Sequence, residues 1–153
     1  MKYIGKNLRE INFPLGGIGS GSIGLCGNGI LSDWEIFNRP SKGSENGYSQ
    51  ISVRTADEKG NVIAKALIGD YDKDFMGQYS KNMWTGYGFG PRNTSMAGFS
   101  HFETCEFDGT FPIANIRYVS SDFPGEVTLR AFNPLIPLDE KNSSIPAAFF
   151  EIL

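Results

Sequence analysis

Asp33 and Glu35, with Trp34 between them, are the residues of this chain whose types and spacing come nearest to sugar chemistry. An indole can stack on a sugar face, and a retaining glycosidase needs two carboxylates about 5 Å apart, one as acid and one as nucleophile. On a strand the two carboxylates fall on one side with Cα atoms roughly 6.6 Å apart, so separation alone does not exclude them. Orientation does count against them. Acid and nucleophile must flank the glycosidic bond, whereas neighbours on one strand project side by side. The pattern therefore predicts that Trp34 and Ile36 face the core, with Asp33 and Glu35 toward solvent or a second domain.

Other groups have weaker claims. Gly19, Gly21 and Gly24 match the G-x-G-x-x-G of a dinucleotide-binding turn, but that turn must follow a strand and open a helix. Pro14 precedes the glycines and Gly27-Asn28-Gly29 follows them, so no amphipathic helix can start there. His101, the one histidine, reads as a hydrogen-bonded structural residue and gives a poor metal site. Asp70, Asp72 and Asp74 resemble part of a calcium loop but lack its glycine and terminal glutamate. Cys26 and Cys105 have neither zinc nor redox spacing and read as buried thiols. No metal and no cofactor is expected. A net charge of −3, with no basic cluster interleaved with aromatics, argues against nucleic acid.

The elements that must position these residues are strands. With 153 residues the chain can bury a real core, and its 19 Gly and 12 Phe favour strands joined by turns. Residues 20–26 and 30–37 read as a hairpin around Gly27-Asn28-Gly29, with glycines marking bulges or close packing. Residues 48–55 and 62–68 form a second hairpin. Residues 99–108 and 111–120, with a turn at Asp108-Gly109, form a third. Residues 126–132 alternate strictly, with Val127, Leu129 and Ala131 inward, and residues 147–153 begin another strand. Residues 133–146 are a proline-punctuated connection. Residues 69–98 lose periodicity, and their Trp84-Thr-Gly-Tyr-Gly-Phe-Gly-Pro91 run is either an aromatic sugar platform or a loop lying over an apolar surface. The fold class is all-β, an antiparallel β-sandwich spanning 1–153. An apolar strand ending at Leu153 leaves a pairing edge, predicting either further strands in a longer parent or a strand-paired homo-oligomer. Neither a signal peptide nor a membrane-length apolar run is visible, so the chain reads as cytoplasmic, with no transmembrane segment.

Four segments, taken in order, carry a resemblance: Pro14 to Gly24, Asp33 to Pro40, Ala97-Gly-Phe-Ser-His-Phe102, and Ala131 to Pro137 with Asn142 to Glu151. Together they resemble the N-terminal domain of glycoside hydrolase family 116, the β-glucosidases that include non-lysosomal glucosylceramidases. The resemblance implies a β-sandwich packed on a much larger (α/α)6 barrel, a retaining β-glycosidase whose nucleophile glutamate and acid/base aspartate both belong to that barrel. The barrel is absent here, so no catalytic residue falls in this segment. Its expected role is to support the C-terminal catalytic domain of the same parent, and it meets a β-glucoside only through that domain. Asp33, Trp34, Glu35, Asn38, Arg39 and Trp84 are then candidates for the interface or the pocket mouth. Gly16, Gly17, Gly19, Gly21 and Gly24 are the structural glycines. The alternative is a carbohydrate-binding module using Trp34, Trp84 and Tyr87.

Overall fold

A computed structural model describes residues 1–69 and 98–153. Among the described residues the strands form three antiparallel sheets. Strands β1 (Lys2–Ile4), β7 (Thr104–Thr110), β8 (Ile113–Val119), β9 (Val127–Phe132) and β10 (Phe149–Ile152) form a five-stranded sheet in that order. Strands β2 (Asn12–Leu15), β3 (Gly21–Cys26) and β4 (Leu31–Ile36) form a second, and β5 (Ser52–Ala56) with β6 (Val62–Ala66) a third. A 3-10 turn covers Gly5–Leu8, and a short helix, α1 (Glu140–Ser143), interrupts the β-structure.

The alternation of β9 appears as burial of Val127, Leu129 and Ala131. Across the ladder β8 contributes Ala114, Ile116 and Tyr118, and β7 contributes Cys105 and Phe107. Leu15 and Leu25 of the three-stranded sheet, with Leu67 and Phe102, close over this face. Each such side chain contributes about 1.5–3 kcal/mol on burial. The ring of Phe102 lies 5.4 Å from Tyr118 and 5.2 Å from Phe123, a tilted arrangement of the kind aromatic pairs favour. The fold is the all-β sandwich that the alternation and the turns predict.

Several expectations need correction. Asp108 and Gly109 lie inside β7, opposite Asn115 and Ala114, and the reversal is made by Phe111-Pro112, joined by a cis bond. Asp108 is occupied otherwise, its carboxylate accepting from the N-terminal ammonium at 2.8 Å. The 133–146 connection is not wholly irregular, because Asp139 caps α1 by accepting from the Asn142 N–H at 3.0 Å. Strand β2 was not apparent because it contains Pro14, which a sheet tolerates at an edge, and β2 is an edge. The expected facing of β4 is overturned as well. Asp33 is buried and Ile36 is 49% exposed. Register shifts between Ser22 and Gly24, so that Asp33 and Trp34 together oppose Ile23, and Asp33 takes φ +50°. This is a β-bulge with its first residue in the left-handed region, and it breaks the period of two. The segment after Gly24 is a hairpin, not a helix, which removes the structural context of a dinucleotide site.

Candidate interdomain platform

The bulge turns Asp33 inward, and its carboxylate becomes the hub of a local network. Asn12 Nδ2 donates to Oδ2 at 2.6 Å, the Gly43 N–H to Oδ1 at 2.6 Å, and Lys42 Nζ to Oδ2 at 3.2 Å. Glu35 accepts from the same Lys42 at 3.1 Å and from the Ser41 N–H at 3.2 Å. Glu35 first and Asp33 second push the Lys42 ammonium above its ordinary range. On the backbone, Asp33 N–H donates to Ser44 O at 3.0 Å and Trp34 N–H to Ser44 Oγ at 2.7 Å. The two carboxylates thus share one cation and clip the 41–44 loop onto β4. Gly24 is part of this arrangement, since a Cβ there would collide with the Asn12 amide that reaches Asp33.

The Gly-rich loop after β2 is held from a distant part of the chain. Buried Asn133 accepts from the Gly16 N–H at 2.6 Å and donates to Pro14 O at 2.9 Å. The Ile18 N–H donates to Ser143 O at 2.9 Å. Ser143, itself buried, donates to Ile136 O and accepts from Ile136 N–H, each at 2.9 Å. At Gly17 a Cβ would sit within 2.6 Å of the Ser144 carbonyl carbon and closer still to Ile145 O, so the two loops touch backbone to backbone. A cleft of about 240 Å³ opens where the glycine loop, Trp34 and Ile36 meet Pro146, Ala147 and Ala148. A groove of about 650 Å³ runs along the other side of the connection, between Ile18 and residues 135–144.

Apolar residues of these loops and of the end of β4 are exposed: Ile18 at 57%, Ile36 at 49%, Phe37 at 83% and Ile136 at 49%. Leu138 is fully exposed, takes φ +66° and immediately precedes Asp139, the N-cap of α1. Exposed apolar side chains on loops fixed by buried hydrogen bonds have the character of a protein contact.

Of the residues singled out from the sequence, the fold brings Asp33, Trp34 and Glu35 to the edge of this platform, with Asn38 and Arg39 exposed just beyond β4. Trp34 lines the cleft, and its Nε1–H is buried without a hydrogen-bond partner among the described residues. Gly16, Gly17, Gly19 and Gly21 form the loop and the start of β3, with Gly19 in open space. Trp84, Tyr87, Asp70, Asp72 and Asp74 lie outside the described residues. His101 Nδ1 lies 3.1 Å from Phe99 O, as a structural histidine should. Among the described residues no group of three or more His, Cys, Asp or Glu could hold a metal ion. Cys26 and Cys105 form no disulfide, and burial pushes the Cys26 thiol up. Asn133, Ser143 and Leu138 were missed, and the only signal for them was the proline-punctuated motif around them.

A family model described as beta-glucosidase 2, glycosyl-hydrolase family 116 N-term, matches residues 12–153. No curated protein matches the chain.

Proposed function

We propose, from the premise that this chain belongs to the N-terminal domain family of glycosyl-hydrolase family 116, that it is a non-catalytic sandwich supporting a separate catalytic domain. The observation that carries this reading is the exposure of Ile18, Ile36, Phe37, Ile136 and Leu138 on or beside loops that buried hydrogen bonds from Asn133 and Ser143 hold in place. Its partner is the catalytic barrel of a retaining, glucosylceramidase-like β-glucosidase, and a β-glucoside reaches the chain through that barrel. Asp33 and Glu35 are committed to Lys42 and the 41–44 loop, which suits fixing an edge better than proton transfer. Trp34, Asn38 and Arg39, with Trp84, are proposed for the contact or the pocket mouth. No helix among the described residues is long and apolar enough to cross a membrane. Residence in the cytoplasm belongs to the same proposal.

Aryl β-glucoside hydrolysis tests the reading. The 153-residue chain should be inactive. A chimera carrying it in place of the N-terminal domain of a family 116 β-glucosidase should be active, and Leu138→Asp should weaken that chimera without unfolding the isolated sandwich. Hydrolysis by the chain alone would overturn the proposal and return attention to Asp33 and Glu35. Tight binding of gluco-configured oligosaccharides by the chain alone would favour a carbohydrate-binding module instead.

A further inference from the structure

We propose that Asn46 is a site of spontaneous covalent modification, in which the Gly47 backbone nitrogen attacks the Asn46 side-chain carbonyl and closes a succinimide. The bond from Gly47 N to Asn46 Cγ forms, the Cγ–Nδ2 bond breaks, and the Gly47 proton leaves with the amide nitrogen as ammonia. Water then opens the ring at either carbonyl. One opening gives aspartate with the backbone unchanged. The other gives isoaspartate, in which the backbone runs through the side chain and is longer by a methylene.

Sequence alone marks three asparagines for this chemistry, because Asn28 and Asn46 precede glycine and Asn142 precedes serine. Glycine favours it by having no Cβ to obstruct the attacking nitrogen and little resistance to the backbone rotation that brings it onto Cγ. The structure separates the three. Asn28 is 2% exposed, and the Gly29 N–H that would have to attack donates to Cys26 O at 2.9 Å. Asn28 Oδ1 accepts from the Ile30 N–H at 3.3 Å, and Asn28 O from the Gly69 N–H at 2.8 Å. A Cβ at Gly29 would lie 2.1 Å from the Tyr118 hydroxyl and 2.5 Å from Leu67 O, so the backbone there has no room to turn. At Asn142 the following N–H, of Ser143, donates to Asp139 O at 3.0 Å, and Asn142 gives its own N–H and its side-chain amide to the Asp139 carboxylate.

Asn46 and Gly47 carry none of these restraints. Both are exposed, in the loop between β4 and β5. Among the described residues neither the Gly47 N–H nor the Asn46 side chain has a hydrogen-bond partner. A Cβ at Gly47 would meet nothing within 4 Å. The Ser49 hydroxyl donates to Asn46 O, the carbonyl of the peptide group whose N–H must be lost. That bond draws electron density from the peptide and makes its N–H more acidic. Asn46 stands two residues beyond Ser44, which takes the Asp33 and Trp34 N–H groups, so the new charge and the longer backbone enter beside the clip on β4. Neither Asn46 nor Gly47 enters the proposed function, so the two readings stand or fall separately.

Incubation of the folded 153-residue chain at mildly alkaline pH, followed by digestion and mass spectrometry, tests the proposal. The peptide carrying Asn46 should gain the mass that comes with replacing NH2 by OH. Part of it should resist an endoproteinase that cuts before aspartate but not before isoaspartate. The peptides carrying Asn28 and Asn142 should convert at least about tenfold more slowly, since those sites react only through local opening. In urea the Asn28 and Asn46 rates should converge, because both then follow the same Asn-Gly dipeptide. Ser49→Ala should slow the reaction at Asn46. Asn46→Gln, whose longer side chain has to close a larger ring, should abolish it at that position with unchanged circular dichroism. An Asn46 peptide that stays intact in folded protein while the urea-unfolded chain converts would overturn the proposal. So would equal rates at Asn28 and Asn46 in the folded chain.

Discussion

Asn133 joins segments more than a hundred residues apart through a single amide, and nothing about its local sequence beyond a neighbouring proline marks it. Replacing it with alanine would leave the Gly16 N–H and the Pro14 carbonyl without partners, at about 1–3 kcal/mol for each group that stays buried. Chemical denaturation of Asn133→Ala should show that loss, and Asn133→Asp should recover only the bond from Gly16, since a carboxylate cannot donate to Pro14 O. Asp33 shows the opposite limit. Its type and spacing were visible, but its orientation was not, because the period of two assumes an unbroken ladder and the bulge at Asp33-Trp34 breaks it. Of the two thiols expected to be buried, Cys105 is, while Cys26 is half-buried. With the Cys26 thiol pushed up by burial and Cys105 in the core, a thiol-disulfide reagent should react slowly with native protein and with both thiols after denaturation.

Hairpins were the most legible elements, because turn residues between alternating runs specify both pairing and register. The β3–β4 hairpin follows its Gly27-Asn28-Gly29 signal, and β9 follows its alternation to within a residue. The third hairpin was misplaced because Asp108-Gly109 is a strong local turn signal that lost to strand pairing with β1 and β8. The Gly-rich loop was legible as special but not in kind, since the element it touches lies at the far end of the chain. Two substitutions separate backbone contact from backbone conformation there. Gly17→Ala drives a methyl into the fixed backbone of Ser144 and Ile145, whereas Gly19→Ala meets open space and only the strain of φ +70°. Thermal unfolding should therefore drop sharply for Gly17→Ala, while Gly19→Ala should cost only about 1–2 kcal/mol. Equal losses at the two positions would mean that the loops do not depend on their contact.

At the scale of the whole molecule, composition and alternation made the sandwich legible. The apolar platform was not, because exposure of Ile18, Ile136 and Leu138 depends on how two distant loops stack and cannot be read from hydropathy. Charge is distributed so that folding responds to acid in one direction. Asp122 is held below its ordinary value of 3.8 chiefly by buried Lys65, which donates at 2.8 Å, and Asp108 by the N-terminal ammonium. Asn61 does the same for Asp57, Asn142 for Asp139, and Arg117 for Glu126, whose ordinary value is 4.5. Carboxyls lowered in the folded state bind fewer protons than in the unfolded chain. Their contribution is complete above the unfolded values and is lost as pH falls through the folded ones. Lys2, Lys42 and Arg117 are raised, so their contribution is complete below the ordinary values and is lost only in strong base. These groups are exposed or half-exposed, which keeps each contribution small and sensitive to salt. The urea midpoint should therefore be level from about pH 5 to pH 8 and fall below about pH 4. Asp122→Asn should lower the plateau and flatten the acid limb, because its buried partner Lys65 keeps a charge that a neutral amide satisfies less well. A midpoint that rose on acidification would mean that these carboxylates are not ion-paired or hydrogen-bonded in the folded protein.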